Sequence, residues 1–166
     1  MSSKPVLMIH NIDNSIFDLP LKDYVLTFDD GTHDHYDSFL KFQQIDTRKI
    51  YFIIANRIGT EGYLTIDKIK EMMEDPQVTI GAHSYNHTNL NSLPKLFDQI
   101  FHIQKDTELM IEWFTINLKF CPNVFCFPYN NDLRGMYTAL IKKYGFTELY
   151  GHERIPVETL LRIEPL

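Results

Sequence analysis

Residues 24–31 read Tyr-Val-Leu-Thr-Phe-Asp-Asp-Gly, YVLTFDDG. Strand formers from Tyr24 to Phe28 run into two carboxylates, Asp29 and Asp30, and a glycine, Gly31. Strands tolerate aspartate poorly and glycine worse. The run therefore reads as a buried strand whose carboxyl end opens into a turn displaying both carboxylates. In α/β folds that end of a parallel strand is where ligands bind. Adjacent carboxylates repel unless a cation or a proton lies between them. Asp and Gly are also ordinary turn residues, so the pair gains meaning only from the rest of the chain.

Strands and helices alternate on both sides of this stretch. Val6 to Ile9 reads as a first strand ending at His10, and Asn11 to Pro20 as a polar loop. After the carboxylate turn, Tyr36, Phe39, Leu40 and Phe42 suit one helix over residues 34–45. Ile50 to Ile54 (IYFII) is a continuous apolar run, as in a strand covered on both faces. Thr65 is placed to cap a helix carrying Ile66, Ile69, Met72 and Met73, closed by Pro76. Val78 to Ala82 reads as a strand ending at His83. Leu96 to Leu118 has helical spacing, as one long helix or two. Val124 to Phe127 is a strand ending at Pro128 and Tyr129, followed by a helix over 133–144 with Gly145 at its end. Phe146 to Tyr150 and Leu160 to Ile163 are the candidate last strands. About seven strands alternating with helices predict a small, distorted (β/α) barrel with a parallel sheet. No GxGxxG or P-loop pattern supports a nucleotide-binding sheet. At 166 residues the chain is shorter than the ~250 usual for such barrels, so some helices must be short or missing.

The same length suits a single domain over residues 1–166. A net charge of -6 offers no basic footprint for nucleic acid. The two cysteines, Cys121 and Cys126, are too few for a zinc cage and are expected as free thiols. No segment is long enough to span a membrane. The opening residues, MSSKPVLMIHNIDN, have too short an apolar run for a signal peptide, so a cytoplasmic location is expected.

The residues placed at strand ends are His10, Asp29, Asp30, His83 with His87, and Pro128 with Tyr129. In a parallel barrel these ends share one rim. His83 and His87 stand four apart in HSYNH, so both imidazoles can reach one ion. One carboxylate added to two imidazoles leaves positions open for water and substrate, as catalytic metal sites require. Asp30 is the natural third ligand. Asp29 is then free to take a proton from water activated by the ion. HSYNH lacks the Glu beside its first His that a metalloprotease would use as base.

In this order TFDDG, HSYNH and FPY resemble the first three motifs of the NodB-homology polysaccharide deacetylases. The resemblance implies an N-deacylase of amino sugars that uses a divalent metal, zinc foremost, with cobalt, nickel or manganese as substitutes. It makes Asp29 the general base and Asp30, His83 and His87 the metal ligands. Pro128 and Tyr129 close the third motif, whose Tyr contributes a backbone N–H to the oxyanion and lines the substrate site. Its implied partner is an amino sugar or oligosaccharide carrying an acetyl or formyl group, such as a precursor of lipopolysaccharide.

The sequence departs from the family's pattern in two places. Cys126 stands where an arginine usually orients the catalytic aspartate, and Arg134 and Arg154 are the candidates to replace it. Short bacterial members with an F-x-Y/F-P-Y third motif are similar here. The family's late Leu-x-His, source of the general acid, is also missing. The first strand, VLMIH, ends instead in His10, and in a closed barrel first and last strands are neighbours. This resembles a permuted arrangement in which His10 is the acid. A degenerate member that binds a glycan without hydrolysing it is the rival reading. Tyr85 and Tyr36 lie near enough to the motifs to contact a sugar. Trp113 is expected in the core, His102 half-buried in a helix, and His33 and His35 at the exposed start of a helix.

Overall fold

The structure, a computed structural model, describes residues 3–162. Its strands are β1 (Val6–Ile9), β2 (Val25–Phe28), β3 (Lys49–Ile53), β4 (Val78–Ala82), β5 (Val124–Cys126), β6 (Glu148–Tyr150) and β7 (Ile155–Pro156). The helices are α1 (His33–Asp37), α2 (Phe39–Gln43), α3 (Ile66–Met72), α4 (Leu96–Leu118), α5 (Met136–Lys143) and α6 (Val157–Leu161). All seven strands are parallel, in the order β6-β5-β4-β3-β2-β1-β7. The sheet curls into a half-barrel wrapped by helices. Among the described residues β6 and β7 do not pair with each other.

The strand period of two sorts the side chains. Leu26, Phe28, Tyr51 and Ile53 belong to the large core shared with the helices, where the rings of Phe28 and Tyr51 stack at 4.4 Å. Ile50, Phe52, Val124, Cys126 and Tyr150 form a smaller cluster on the inner face of the curl. Thr27 and Asp29 are on the other side of β2 from Leu26 and Phe28, so Asp29 is delivered inward. Gly81 is required in β4, because a Cβ there would lie 2.5 Å from the Phe52 ring.

Several elements differ from the sequence reading. The helix expected over 34–45 is two short ones, α1 and α2, meeting at Ser38. The loop of residues 11–20 contains a short 3₁₀ turn, Asn14–Asp18, that buries Ile16 and is capped by Asp13. The helix α4 is unbroken, with no Gly or Pro inside it. The helix α5 begins only at Met136, because Leu133, Arg134 and Gly135 all hold positive φ. The strand expected over 160–163 is absent from its described part. Leu160 and Leu161 belong to α6, and Ile163 lies outside the described residues. Val157, Leu160 and Leu161 have helical spacing. The strand at this end is β7, which Pro156 keeps short and at the edge because proline donates no ladder hydrogen bond. Its neighbour is β1, so the two ends of the chain do meet in the sheet.

Candidate active site

The turn after β2 separates its two carboxylates. Asp29 N–H donates to the Ile9 carbonyl at 3.0 Å, continuing the ladder and holding the side chain on the inner face. Asp30 and Gly31 then adopt φ of 82° and 73°. Positive φ is unusual for a residue with a Cβ. Here it turns Asp30 away from Asp29, while a Cβ on Gly31 would meet Ile53 Cγ2 at 3.0 Å.

Asp29 is 2% exposed and held by Arg154 through a two-pronged pair. The guanidinium donates Nη1 to Oδ1 at 2.6 Å and Nη2 to Oδ2 at 2.8 Å. It also donates to Thr27 Oγ1, Asn130 Oδ1 and the Gly151 carbonyl, and lies 3.0 Å from Cys126 Sγ. Every prong is used, so its orientation is fixed. Burial opposes ionisation of Asp29, but the bonded guanidinium and the neighbouring imidazoles outweigh it and hold the carboxyl below its ordinary range. Thus Arg154, not Arg134, meets Asp29; Arg134 is exposed on the loop before α5. On the other side, His10 Nε2 stands 3.6 Å from Asp29 Oδ2, with its side chain 41% exposed to the cleft.

Asp30, His83 and His87 converge on one point. The two imidazole Nε2 atoms are 3.1 Å apart, and Asp30 Oδ1 is 3.4 Å from His83 Nε2 and 3.5 Å from His87 Nε2. His83 Nδ1 donates to the Cys126 carbonyl at 2.8 Å, which aims Nε2 at Asp30. Burial opposes a charge on His83, but Cys126, Asp30 and Asp29 outweigh it and raise its pKa well above the ordinary value, so an ion bound here takes the place of a proton. Burial, reinforced by the charge on His83 alongside, lowers the pKa of His87 to about 4, so His87 is a free base at neutral pH. Burial resists a charge on Asp30, yet the imidazoles of His83 and His87 beside it bring its carboxyl down to about 2. Asp30 Oδ1 is buried and accepts no hydrogen bond. Three ligand atoms within 3.5 Å of one another, one of them a buried carboxylate oxygen, need a shared proton or a shared cation between them. A tetrahedral ion with ligands at about 2.0–2.1 Å places those ligands about 3.3 Å from each other, matching the three separations. The donor set fits a divalent ion of the zinc type.

At the end of β5, Pro128 is buried and Tyr129 turns out at φ 56°, 57% exposed, its ring 4.8 Å from that of His87. Among the described residues no acceptor meets the Tyr129 N–H. A cavity of about 250 Å³ is lined by His10, Asp29, Asp30, His83, His87 and Tyr129, with Phe127 and Asn130 completing it. All six residues expected to do chemistry therefore face one cleft. Tyr85 does not line it. Its ring lines a separate shallow groove on α4, with Trp113 half-buried there. Tyr36 is also elsewhere, bonded to Glu71.

Two histidines differ in role. His33 is at the surface as expected, paired with Asp37 at 2.9 Å. His35, expected to be exposed, is fully buried, and its Nε2 bonds the His10 carbonyl at 2.9 Å. It braces the loop that carries His10. His102 is half-buried as expected. Asn130 was not anticipated; a single Asn after Pro-Tyr carries no signal that it will meet an arginine from the far end of the chain.

Residues 18–149 match the family model described as polysaccharide deacetylase. The chain belongs to the polysaccharide deacetylase family. Its curated relative YxkH of Bacillus subtilis, which bears a polysaccharide deacetylase name, is 32% identical over 93 residues. That match takes in 48% of this chain and 33% of the relative, so the chain spans about a third of the curated protein's length. The fold is that of solved deacetylases. IcaB from Ammonifex degensii superposes with a TM-score of 0.74 at 19% identity, covering 92% of this chain and 84% of that one. The Streptococcus pyogenes deacetylase PplD, solved with acetate, gives 0.69 at 14% identity and covers 99% of each chain. Within this deacetylase fold, Cys126 and Arg154 together occupy the ground beside Asp29. Both side chains are buried, and the thiol packs against the guanidinium.

Proposed function

We propose that the protein is a metal-dependent hydrolase that removes an N-acetyl or N-formyl group from an amino sugar of a surface glycan or its precursor. The observation that carries this reading is the split of the Asp29–Asp30 pair: one carboxylate joins two imidazoles, and its neighbour is locked onto a guanidinium beside them. Asp30, His83 and His87 would hold the ion, with zinc the best match and cobalt, nickel or manganese as substitutes. Such an ion supplies a Lewis acid for the acyl oxygen and makes a water more acidic. Asp29 takes the proton from the water as its oxygen bonds to the acyl carbon. The free Tyr129 N–H faces the oxyanion that forms, a contribution typically worth about 3 kcal/mol. His10 gives a proton to the nitrogen as the C–N bond breaks, releasing a free amine and a carboxylate. Arg154 keeps Asp29 ionised and aimed.

The rival reading, a glycan binder without turnover, drew on Cys126 and the missing late histidine. Arg154 and His10 supply both groups from elsewhere in the chain, so the hydrolase is preferred. Cys121 and Cys126 are both free thiols, which favours a reducing compartment and hence a cytoplasmic nucleotide- or lipid-linked substrate.

The test is a metal-loaded assay over N-acetyl and N-formyl amino sugars with two variants. Asp29→Asn is expected to bind one ion per chain and lose turnover by a factor of about 10³ or more. Asp30→Ala is expected to lose the ion. Equal loss of the ion in both variants, or no ion in the wild type, would refute the assignment.

A further inference from the structure

Asp106 sits in the middle of α4, 4% exposed, and among the described residues forms no pair with a lysine or arginine. Burying a carboxylate without a cation costs several kcal/mol unless hydrogen bonds replace its water. Here they do, and all of them come from one short loop. Tyr85 N–H donates to Oδ2 at 2.7 Å. Asn86 donates to Oδ1 twice, through N–H at 3.0 Å and Nδ2 at 2.9 Å. His102 Nε2, one turn earlier on α4, is 3.8 Å from the same oxygen.

Tyr85 and Asn86 are the middle of the HSYNH loop, between the two histidines that face Asp30. The loop is not relaxed. Ser84 and His87 hold φ of 66° and 55°, a region that costs a non-glycine residue about 1–2 kcal/mol. That geometry brings His87 back beside His83. The other bonds to the loop are neutral: His87 N–H to Ser84 Oγ at 2.8 Å, Asn56 Nδ2 to Asn86 Oδ1 at 2.7 Å, and the Ala55 and Asn56 N–H groups to the Ser84 and Tyr85 carbonyls, both at 3.1 Å. The charged, three-bond clamp is Asp106.

We propose that Asp106 is a positioning residue for the metal centre: a buried carboxylate on α4 that pins residues 85–86 and so holds His87 where it can share an ion with His83 and Asp30. The inference rests on the metal-ligand reading above and extends it to a residue that touches neither ion nor substrate. A helix that starts nine residues after the loop thereby sets the ligand geometry.

The test is zinc affinity, read by competition with a chromophoric chelator, for wild type, Asp106→Asn, His87→Ala and the double variant. Asp106→Asn retains the side-chain shape but sets an amide N–H against a loop donor. It should weaken zinc binding about 10- to 100-fold and shift the visible spectrum of the cobalt-loaded protein. In the His87→Ala background the same change should cost less than about threefold, because the clamp has no ligand left to deliver. An Asp106→Asn affinity within about threefold of wild type would overturn the proposal. So would an equal loss in both backgrounds, which marks a general folding role. If Asp106→Asn does not fold, Asn86→Ala removes one clamp bond at a less buried position. The proposal then requires the same His87-dependent loss, on a smaller scale. Failure of wild type to bind zinc would overturn the metal reading itself, and this inference with it.

Discussion

Asp29 carries a charge while 2% exposed, and Arg154 is what sustains it. Removing the guanidinium leaves a buried carboxylate with no cation, a change that typically costs about 3–5 kcal/mol. Arg154→Met should therefore lower both stability and turnover at neutral pH. The sign of the pH dependence identifies the cause. In the wild type the folded pKa of Asp29 is depressed, so its contribution is present above the unfolded carboxylate pKa and lost as pH falls through the folded value. In the variant the guanidinium no longer opposes burial, so that pKa rises from its wild-type value and the low-pH loss of stability is smaller. The stability gap between the two proteins, measured by urea unfolding, should shrink as pH falls below about 4. A gap that stays constant would mean that Arg154 contributes packing and not charge. The role of Arg154 was half legible. The missing arginine at position 126 is a visible defect in a motif, and two arginines were candidates to repair it. Choosing between them required knowing that β7 pairs with β1.

Elements show a similar division. The continuous apolar run at β3 announces a strand buried on both faces, and every one of its residues is buried. Thr65 announces the start of α3, where its side chain accepts the Lys68 N–H. Gly81 announces nothing by itself, since an isolated glycine in a strand has several explanations. Its reason is the Phe52 ring on the next strand, close enough to exclude a methyl group. Gly81→Ala should destabilise the protein by about 1–3 kcal/mol through overpacking, seen as a lower midpoint in urea with an unchanged slope. A neutral effect would mean that the Phe52 ring can move aside to admit a methyl group. The end of the chain was misread for an identifiable reason: Leu160 and Leu161 suit a strand or a helix over so short a run, and Pro156 decides between them.

At the scale of the whole molecule, the strand ends of one sheet carry every residue assigned to chemistry, from His10 just after the first strand to Arg154 just before the last. We propose a single domain over residues 1–166, and such a unit should unfold in one cooperative transition by heat or denaturant. Two resolved transitions would contradict it. The ion should stabilise this unit, because the three ligands converge only when folded. Zinc at about 100 times its Kd should add about 2.7 kcal/mol, visible as a higher Tm that a chelator reverses. No change in Tm on adding zinc would count against the metal site independently of any assay of turnover. No helix among the described residues is long and apolar enough to cross a membrane.

The sequence by itself determined the local facts. Strand formers ending in paired carboxylates, histidines four apart and a Pro-Tyr after a strand specify which chemical groups stand at strand ends, because period and turn chemistry act over a few residues. It also determined the parallel alternation, hence the shared rim. Only the tertiary structure decided which distant groups meet there. Arg154 reaches Asp29 from 125 residues away and Asp106 reaches the histidine loop from 20. Both are buried charges whose partners depend on how the sheet curls and how α4 lies against it. Contacts of that kind leave no periodic trace in a single chain, since a buried carboxylate and a solvated one are spelled with the same letter.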